Sequence, residues 1–274
     1  GSDQLVTWVS GWASDNYQLN IRNCYMQGMG QVVAIPSIEW VVVTMEDSDF
    51  NNVELNNGQT VESDSYVTVY SADSKNISWN VVNCAFVNNQ RYAAYFGGQS
   101  TTSSNRILNF TFTNVSYINS TSSGRFMQMK SSPSLINIQL NNFTFNSSDG
   151  ALLIEVENDA QFNLSIENSV FDAFNGSTLG MINISQPSSS GGNMTVSLRN
   201  STFINSNYPR SGSILQLTGD CKVSVSAQNN TFSNNSAVDD GGVMYIVTGY
   251  AYNISLDLQY NNFTKNNAAR GSII

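Results

Sequence analysis

Residues 193–217 read NMTVSLRNSTFINSNYPRSGSILQL, and this stretch decides the predicted fold. Its first part, Asn193–Arg199, alternates polar and apolar residues and is followed by Asn200 and the aromatic residue Phe203. After a turn rich in Asn and Ser, Gly212 precedes a second apolar run. A period of two predicts strands, and Asn and Gly suit the bends between them. The stretch therefore predicts two strands joined by tight turns.

The same unit recurs along the chain. An aromatic residue that follows the first strand, here called the marker residue, returns every 26–32 residues, at Phe86, Tyr117, Phe143, Phe171, Phe203, Phe232 and Phe263. Phe50 and Met26 extend the series toward the N-terminus. Leucine-rich repeats have a similar period, but their spaced Leu pattern and helical half are missing. Strands that pair in parallel with their equivalents in the next coil form a solenoid instead.

We therefore predict an all-β fold: a single-domain parallel β-helix of about nine coils that covers residues 1–274. Equivalent positions in such coils lie about 4.8 Å apart, so the marker residues are expected to stack in the core. Asn at the bends tolerates the left-handed backbone conformation. Glycine before the second strand suits a crowded or strained corner.

Two pairs of short motifs resemble a known family. Phe232-Ser-Asn-Asn235 with Gly241-Gly-Val-Met244, and Phe263-Thr-Lys-Asn266 with Gly271-Ser-Ile-Ile274, are similar to the paired FxxN and GGA[ILV] signatures of the chlamydial polymorphic outer membrane protein repeat. Phe143-Thr-Phe-Asn146 is similar to the first signature. The resemblance extends to surface proteins of unicellular eukaryotes. It implies a right-handed, pectin-lyase-like β-helix with an adhesive or structural role outside the cell, and it supplies no catalytic residues.

Charge and composition exclude several function classes. The formal net charge is −9, and the 11 Lys and Arg residues are scattered, so a nucleic-acid partner is not expected. The absence of His removes the commonest general base and metal ligand. The longest apolar run, from Val32 to Val43, is interrupted by Pro36 and Glu39, so no membrane span is predicted.

The frequency of N-glycosylation sequons favours an extracellular protein from a secretory pathway. The number of Asn-x-Ser/Thr sites is close to twice that expected from the composition. N-linked glycans are therefore the expected attachments, and no other cofactor is predicted. The 15 candidate sites are Asn76, Asn109, Asn114, Asn119, Asn142, Asn146, Asn163, Asn175, Asn183, Asn193, Asn200, Asn229, Asn234, Asn253 and Asn262.

An enzymatic alternative remains open, because β-helices of the pectin-lyase type include polysaccharide lyases and hydrolases. Asp239-Asp240 is the only tight acidic pair in a turn, and the loop from Ser63 to Lys75 is a second possible location. Glu46-Asp47-Ser48-Asp49 offers oxygen ligands for calcium but lacks a full ligand loop. We predict no catalytic, cofactor-binding or metal-binding residues. The alternative functions are a carbohydrate-active enzyme and a carbohydrate-binding module.

The chain contains three cysteines, Cys24, Cys84 and Cys221. Cys24 and Cys84 occupy the same position of the repeat, two residues before their markers, with Phe50 marking an intervening coil. Their expected separation of two coils, about 9.6 Å, exceeds the roughly 7 Å limit for a disulfide. We therefore expect both as small apolar residues in the wall.

The two ends of the chain occupy nearly the same point of the repeat. Leu5-Val-Thr-Trp-Val-Ser10 and Gly271-Ser-Ile-Ile274 both resemble second strands, and neither has a capping helix. An uncapped coil exposes apolar side chains and unpaired backbone groups. We therefore expect a stretch of a longer solenoid or a fibre protomer that stacks end to end. The predicted function is a non-catalytic, secreted structural or adhesive unit at the cell surface, whose partners are itself, neighbouring repeats, or a cell-surface or glycan partner.

Overall fold

The computed structural model is a parallel β-solenoid. It contains no helix within the residues that it describes, which are 7–8, 16–27, 33–35, 40–51, 65–70, 76–88, 92–97, 107–119, 126–130, 135–146, 154–157, 161–172, 181–186, 192–208, 210–249, 253–271 and 273–274. The prediction of an all-β solenoid is confirmed. None of these segments supplies a helix with the length and hydropathy needed to span a membrane.

One side of the solenoid is a nine-stranded parallel sheet, here called the back sheet. Each of its strands pairs with the equivalent strand of the next coil. The strands are β1 (Thr7–Trp8), β4 (Val33–Ile35), β7 (Ser65–Tyr70), β10 (Tyr92–Gly97), β12 (Met127–Lys130), β14 (Ile154–Glu157), β17 (Ile182–Gln186), β21 (Leu215–Gly219) and β25 (Met244–Thr248).

The other side is a sixteen-stranded sheet, in which nine long strands form what we call the front sheet. These are β2 (Asn16–Arg22), β5 (Trp40–Glu46), β8 (Asn76–Val82), β11 (Ile107–Ile118), β13 (Leu135–Asn146), β15 (Gln161–Glu167), β18 (Asn193–Arg199), β22 (Lys222–Gln228) and β26 (Ile254–Gln259).

Seven short strands continue the front sheet around a bend and carry marker residues. They are β3 (Tyr25–Gln27), β6 (Asp49–Asn51), β9 (Ala85–Val87), β16 (Val170–Asp172), β19 (Thr202–Ile204), β23 (Thr231–Ser233) and β27 (Asn262–Thr264). In β11 and β13 the marker residue lies on the long strand itself. A third, two-stranded sheet joins β20 (Asn207–Tyr208) and β24 (Ser236–Ala237).

The coils are not all described to the same extent. The back sheet and the front sheet each contain nine strands in register. Strands and the bends that join them are described together in about four successive coils, which begin at β15, β18, β22 and β26. The solenoid thus has about four complete turns in its described part, rather than the nine expected from the repeat.

Alternation along each front strand sends every second side chain into the core. In β18, Met194, Val196 and Leu198 are buried, whereas Asn193 and Thr195 are exposed. Marker rings then stack from coil to coil: Phe203 lies 4.8 Å from the Phe171 ring and 5.1 Å from the Phe232 ring, nearly parallel to both. Burial of each such side chain contributes about 1.5–3 kcal/mol.

The marker residue of one coil differs from the prediction. Phe145, not Phe143, pairs with Tyr117 on one side and with Phe171 on the other. The Tyr117 and Phe145 rings lie 5.5 Å apart and are nearly parallel. Phe143 and Phe145 are both buried, because residues two apart share a face of a strand. The alternation therefore could not distinguish them, and only pairing with the neighbouring coils does.

Asparagine occupies the sharp bends, as expected from its tolerance of the left-handed conformation. Asn83, Asn114, Asn168 and Asn200 have φ between 48° and 54° at the bend after the front strand. The corner before the back sheet instead uses glycine. A Cβ on Gly212 (φ 69°) would lie 2.7 Å from the Leu215 carbonyl oxygen, so a side chain is excluded there.

The FxxN motif has a structural explanation in the ladder of asparagines behind the marker stack. Buried Asn235 donates a hydrogen bond from Nδ2 to the Phe203 carbonyl (2.9 Å) and accepts one from the Ser206 N–H (3.1 Å), both one coil back. Asn266 repeats the first of these bonds to the Phe232 carbonyl at 2.9 Å. The motif thus joins successive coils.

A second buried ladder lies at the first bend, and we call it the inner ladder: Ser169, Ser201, Asn230 and Asn261. The Ser169 N–H donates to Ser201 Oγ (3.1 Å), and the Ser201 N–H donates to Asn230 Oδ1 (3.0 Å). Asn230 Nδ2 also donates to the Leu198 carbonyl at 2.8 Å. These side chains satisfy backbone groups that the bend withdraws from the sheet.

Candidate functional site

A shallow cavity of about 370 Å³ lies on the outer face of the front sheet, over β11, β13, β15 and β18. The polar side chains that line it stand in two columns, one residue from each strand per column, and strand register sets their order. We call these eight residues the polar groove: Asn109, Asn137, Asn163 and Thr195 in the first column, and Thr111, Gln139, Ser165 and Ser197 in the second.

Strand alternation explains why these side chains face outward. Each groove residue is separated from the other groove residue of its strand by one buried residue, such as Phe110 in β11 or Leu164 in β15. Because parallel coils are in register, equivalent side chains of neighbouring strands lie about 4.8 Å apart. Two polar columns on one face are the consequence.

The first column is ordered by hydrogen bonds between amides, and we call it the outer ladder. Asn137 Nδ2 donates to Asn109 Oδ1 at 2.8 Å, and Asn163 Nδ2 donates to Asn137 Oδ1 at 2.9 Å. The ladder fixes which amide atoms face the solvent. With Phe145 as the marker, Asn137 lies eight residues before it, as Asn109 and Asn163 lie before theirs, so correct alignment would have found this residue from the sequence.

The groove retains unused hydrogen-bonding capacity. Among the residues that the structure describes, no partner is found for the Gln139 amide or for the hydroxyls of Thr111, Ser165, Thr195 and Ser197. These side chains are exposed or half-buried. Amides and hydroxyls each provide donors and acceptors. The groove can therefore bind a ligand that carries both.

The groove is electrically neutral. All eight polar lining residues are uncharged, and the nearest charged positions on these strands, Glu167 and Arg199, follow the second column. Neutral amides and aliphatic hydroxyls do not ionise near pH 7 and are weak general acids and bases. The chemistry that the groove offers is hydrogen bonding.

Most sequon asparagines lie on the outside of the solenoid. At outward positions at the start of or along strands are Asn76, Asn109, Asn163, Asn193, Asn253 and Asn262; at the bends are Asn114, Asn119, Asn142, Asn200, Asn229 and Asn234; and Asn146 is half-buried at the end of β13. Asn175 lies outside the described residues. The sequence did not decide whether the strand asparagines face in or out; the structure places them outward.

Asn183 is the exception, since its side chain is only 5% exposed in β17. A buried amide has no room for a sugar, so Asn183 is not an accessible glycosylation site.

Asn114 and Asn142 are restricted for a different reason, which is their closeness to each other. They occupy adjacent coils, and Asn142 Nδ2 donates to Asn114 Oδ1 at 2.7 Å. Two glycans on these neighbours would compete for space.

The sequon hydroxyls and the polar groove share residues. Thr111, Ser165 and Thr195 are the third residues of the sequons at Asn109, Asn163 and Asn193. The overlap follows from alternation, because an outward asparagine places the hydroxyl two residues later on the same face. Glycans at Asn109 or Asn163 would therefore stand in the groove itself.

In the described residues, the acidic pair Asp239-Asp240 lies at a contact between two coils. Asp240 forms an ion pair with Arg270, with Asp240 Oδ1 2.6 Å from Arg270 Nε and Oδ2 2.8 Å from a terminal nitrogen. Asp239 is exposed beside it. This pair connects neighbouring coils. The loop from Ser63 to Lys75 is described only in the β7 backbone.

The acidic segment Glu46-Asp47-Ser48-Asp49 is dispersed by the bend. Glu46 pairs with Arg22 at 2.9 Å, Asp47 accepts from Asn83 Nδ2 at 2.9 Å, and Ser48 is buried. The described part of the chain brings no group of three or more potential metal ligands together. The segment therefore belongs to the bend and its ladders.

The cysteines lie where the repeat places them. Ser48 occupies the coil between Cys24 and Cys84, as the pairing of the following strands shows, and the Cys24 N–H donates to Ser48 Oγ at 3.1 Å. All three thiols are free. Burial raises the pKa of the Cys84 thiol to about 11, and burial with the nearby Asp220 carboxylate raises that of Cys221 to about 11. Both are poor nucleophiles near neutral pH.

Comparisons with known proteins identify no relative. No protein-family model, no curated protein and no solved structure matches the chain. The fold and the groove therefore carry the functional argument.

Proposed function

We propose that this chain is a non-catalytic, extracellular structural or adhesive β-helix that carries N-linked glycans. The observation that carries the proposal is the outward placement of the sequon asparagines around a core of stacked apolar residues. Twelve of them lie at outward strand positions or at bends, where a sugar projects into solvent without disturbing the core. The excess of sequons over their expected number supports a secretory origin.

The construction of the solenoid supports a structural role. Rings, amides and backbone groups bond each coil to its neighbours, so the coils form one continuous body. The resemblance of the Phe232 and Phe263 motifs to the chlamydial surface-protein repeat supports the same role, and with it a right-handed, pectin-lyase-like form. A groove built from neutral side chains suits adhesion better than proton transfer.

The last coil supports assembly with a further coil. Ile254, Leu256 and Leu258 are 45%, 39% and 36% exposed, whereas their counterparts one coil earlier, which include Val223 and Val225, are buried. We extend the proposal to this face: it packs against another coil, supplied by neighbouring repeats or by a second copy of the chain. The equivalent half-buried residues of β2, Tyr17 and Leu19, offer a matching apolar surface.

Secreted expression in eukaryotic cells tests the glycan part. We expect the intact mass to fall after N-glycosidase treatment, and Thr264→Ala, which removes the exposed Asn262 sequon, to carry one glycan fewer. Ser185→Ala removes the sequon of buried Asn183 and serves as the matched control; its mass should change only by the substitution. An unmodified mass for the secreted protein would contradict the proposal.

Light scattering over a range of concentrations, with electron microscopy, tests the assembly part. We expect end-to-end association, and we expect Leu256→Lys to weaken it. Gln259→Lys places the same charge on an outward position of the same strand, leaves every sequon intact and should associate like the parent. A parent chain that stays monomeric throughout would refute stacking of a second copy.

A further inference from the structure

We propose that the polar groove binds an uncharged polysaccharide chain. The inference rests on the proposed adhesive function and names the ligand class of the adhesive surface. It depends on three features of the groove: its neutral lining, its unused hydrogen bonds and its position on the face of a fully paired sheet.

The lining matches a polyhydroxylated ligand. Sugar hydroxyls donate and accept hydrogen bonds, and the groove presents the Gln139 amide and four hydroxyls that have no partner among the described residues. The outer ladder holds Asn109, Asn137 and Asn163 in fixed orientations, so ligand binding does not have to order them. Pre-ordering lowers the entropy cost of binding.

Charge selects against other polymers. The groove has no cationic side chain, and the chain has a formal net charge of −9. Nucleic acids and acidic polysaccharides need positive groups to replace their counterions, and these are missing here. A neutral chain meets no such penalty.

The position of the groove selects against an extended peptide. Peptides that add to a sheet use the free backbone groups of an edge strand. The groove strands β11, β13, β15 and β18 are each paired on both sides, so their backbone groups are already satisfied. Only side chains are available to a ligand on this face.

The dimensions suit more than one sugar ring. Four adjacent strands at about 4.8 Å spacing span on the order of 14 Å along the solenoid axis. The column at the start of these strands is more apolar, with Ile107 37% exposed beside the groove and Trp40 50% exposed two coils away. Apolar groups at the edge of a polar groove can contact the faces of sugar rings.

Glycans on Asn109 or Asn163 would occupy the groove, so binding requires that these two sequons stay unmodified while other outward sequons carry sugar. The test therefore uses unglycosylated chain from a bacterial host. Hexasaccharides of glucose, mannose and galactose are titrated by calorimetry, with oligogalacturonate as the anionic comparison. We expect saturable binding of at least one neutral oligomer and weaker binding of the anionic one. No binding of any neutral oligomer, or equal binding of the anionic one, overturns the proposal.

Variants locate the binding. The double variant Ser165→Leu, Ser197→Leu puts two larger apolar side chains into the second column of the groove and should weaken binding at least tenfold. Ser224→Leu with Ser226→Leu adds two leucines on the same outer face, one in line with each column but one coil beyond the lining, and should bind like the parent. Asn137→Ala should weaken binding by about three- to tenfold, through loss of the outer ladder. An equal loss of binding in the two leucine double variants would overturn the assignment of the ligand to the groove. If the secreted protein proved unglycosylated, or the chain monomeric, the proposed function would fail in that part, but the binding result would stand.

Discussion

The inner and outer ladders use the same residue type for different purposes. On the inner ladder, Asn230 bonds to backbone groups at the bend and is only 2% exposed. On the outer ladder, Asn137 bonds only to other side chains and is half-buried. Loss of the Asn230 side chain leaves buried backbone groups without partners. Loss of the Asn137 side chain leaves the amides of Asn109 and Asn163 free to bond to water instead. Asparagine therefore supports the fold at the bend and lines the polar groove on the outer face.

The largest effect is expected from the core to which the inner ladder belongs. Phe203→Ala removes a ring stacked between Phe171 and Phe232 and should lower the free energy of unfolding by about 3–5 kcal/mol. Urea denaturation followed by circular dichroism measures this. A loss below about 1 kcal/mol would mean that the ring is not in the core.

The comparison of ladders predicts the next effect. Asn230→Ala leaves the Ser201 N–H and the Leu198 carbonyl without their partners, and each buried unsatisfied group costs about 1–3 kcal/mol. We expect a loss of about 2–4 kcal/mol. Asn137→Ala is the matched control, for which we expect less than about 1 kcal/mol. Equal losses in the two variants would remove the distinction between the ladders.

Variants at Asn168, in the bend after the front strand, distinguish the cost of backbone strain from the cost of lost side-chain hydrogen bonds. Asn168 has φ 52°, so Asn168→Ala should cost about 1–2 kcal/mol from the left-handed conformation and its lost amide bonds. Asn168→Gly loses the same bonds but tolerates the backbone, and should cost less. Thermal melts of both variants give the difference. If glycine proves no better than alanine, the bend is not strained.

The smallest effect concerns pH. The folded-state pKa of the Cys84 thiol is about 11, above its ordinary value of 9.0. Ionisation of the thiol is therefore easier in the unfolded state. The contribution of the protonated thiol to the free energy of unfolding is intact below pH 9 and is lost as the pH rises toward 11. Cys84→Ala should show a shallower loss of stability over that range. Parallel curves for the parent and the variant would show that the thiol does not ionise on unfolding.

Sequence periodicity was sufficient for the fold class because alternation and turn chemistry are local properties. The strands β18 and β21, the marker stack through Phe203 and Phe232, and the glycine corner at Gly212 were all predicted. The choice between Phe143 and Phe145 was not, since a shift of two residues leaves the same side chains inside. The number of complete turns also required the strands to be seen in their sheets.

The sequence by itself determined that strands alternate, that Asn and Gly occupy bends and that sequons are abundant. Only the tertiary structure decided which asparagines face the core, which face water and which stand beside one another in a ladder. The physical reason is that a hydrogen bond from Asn163 to Asn137 joins residues 26 positions apart, and their contact exists only when the register of two coils brings them together. The groove has the same origin, because its eight side chains come from four separate strands.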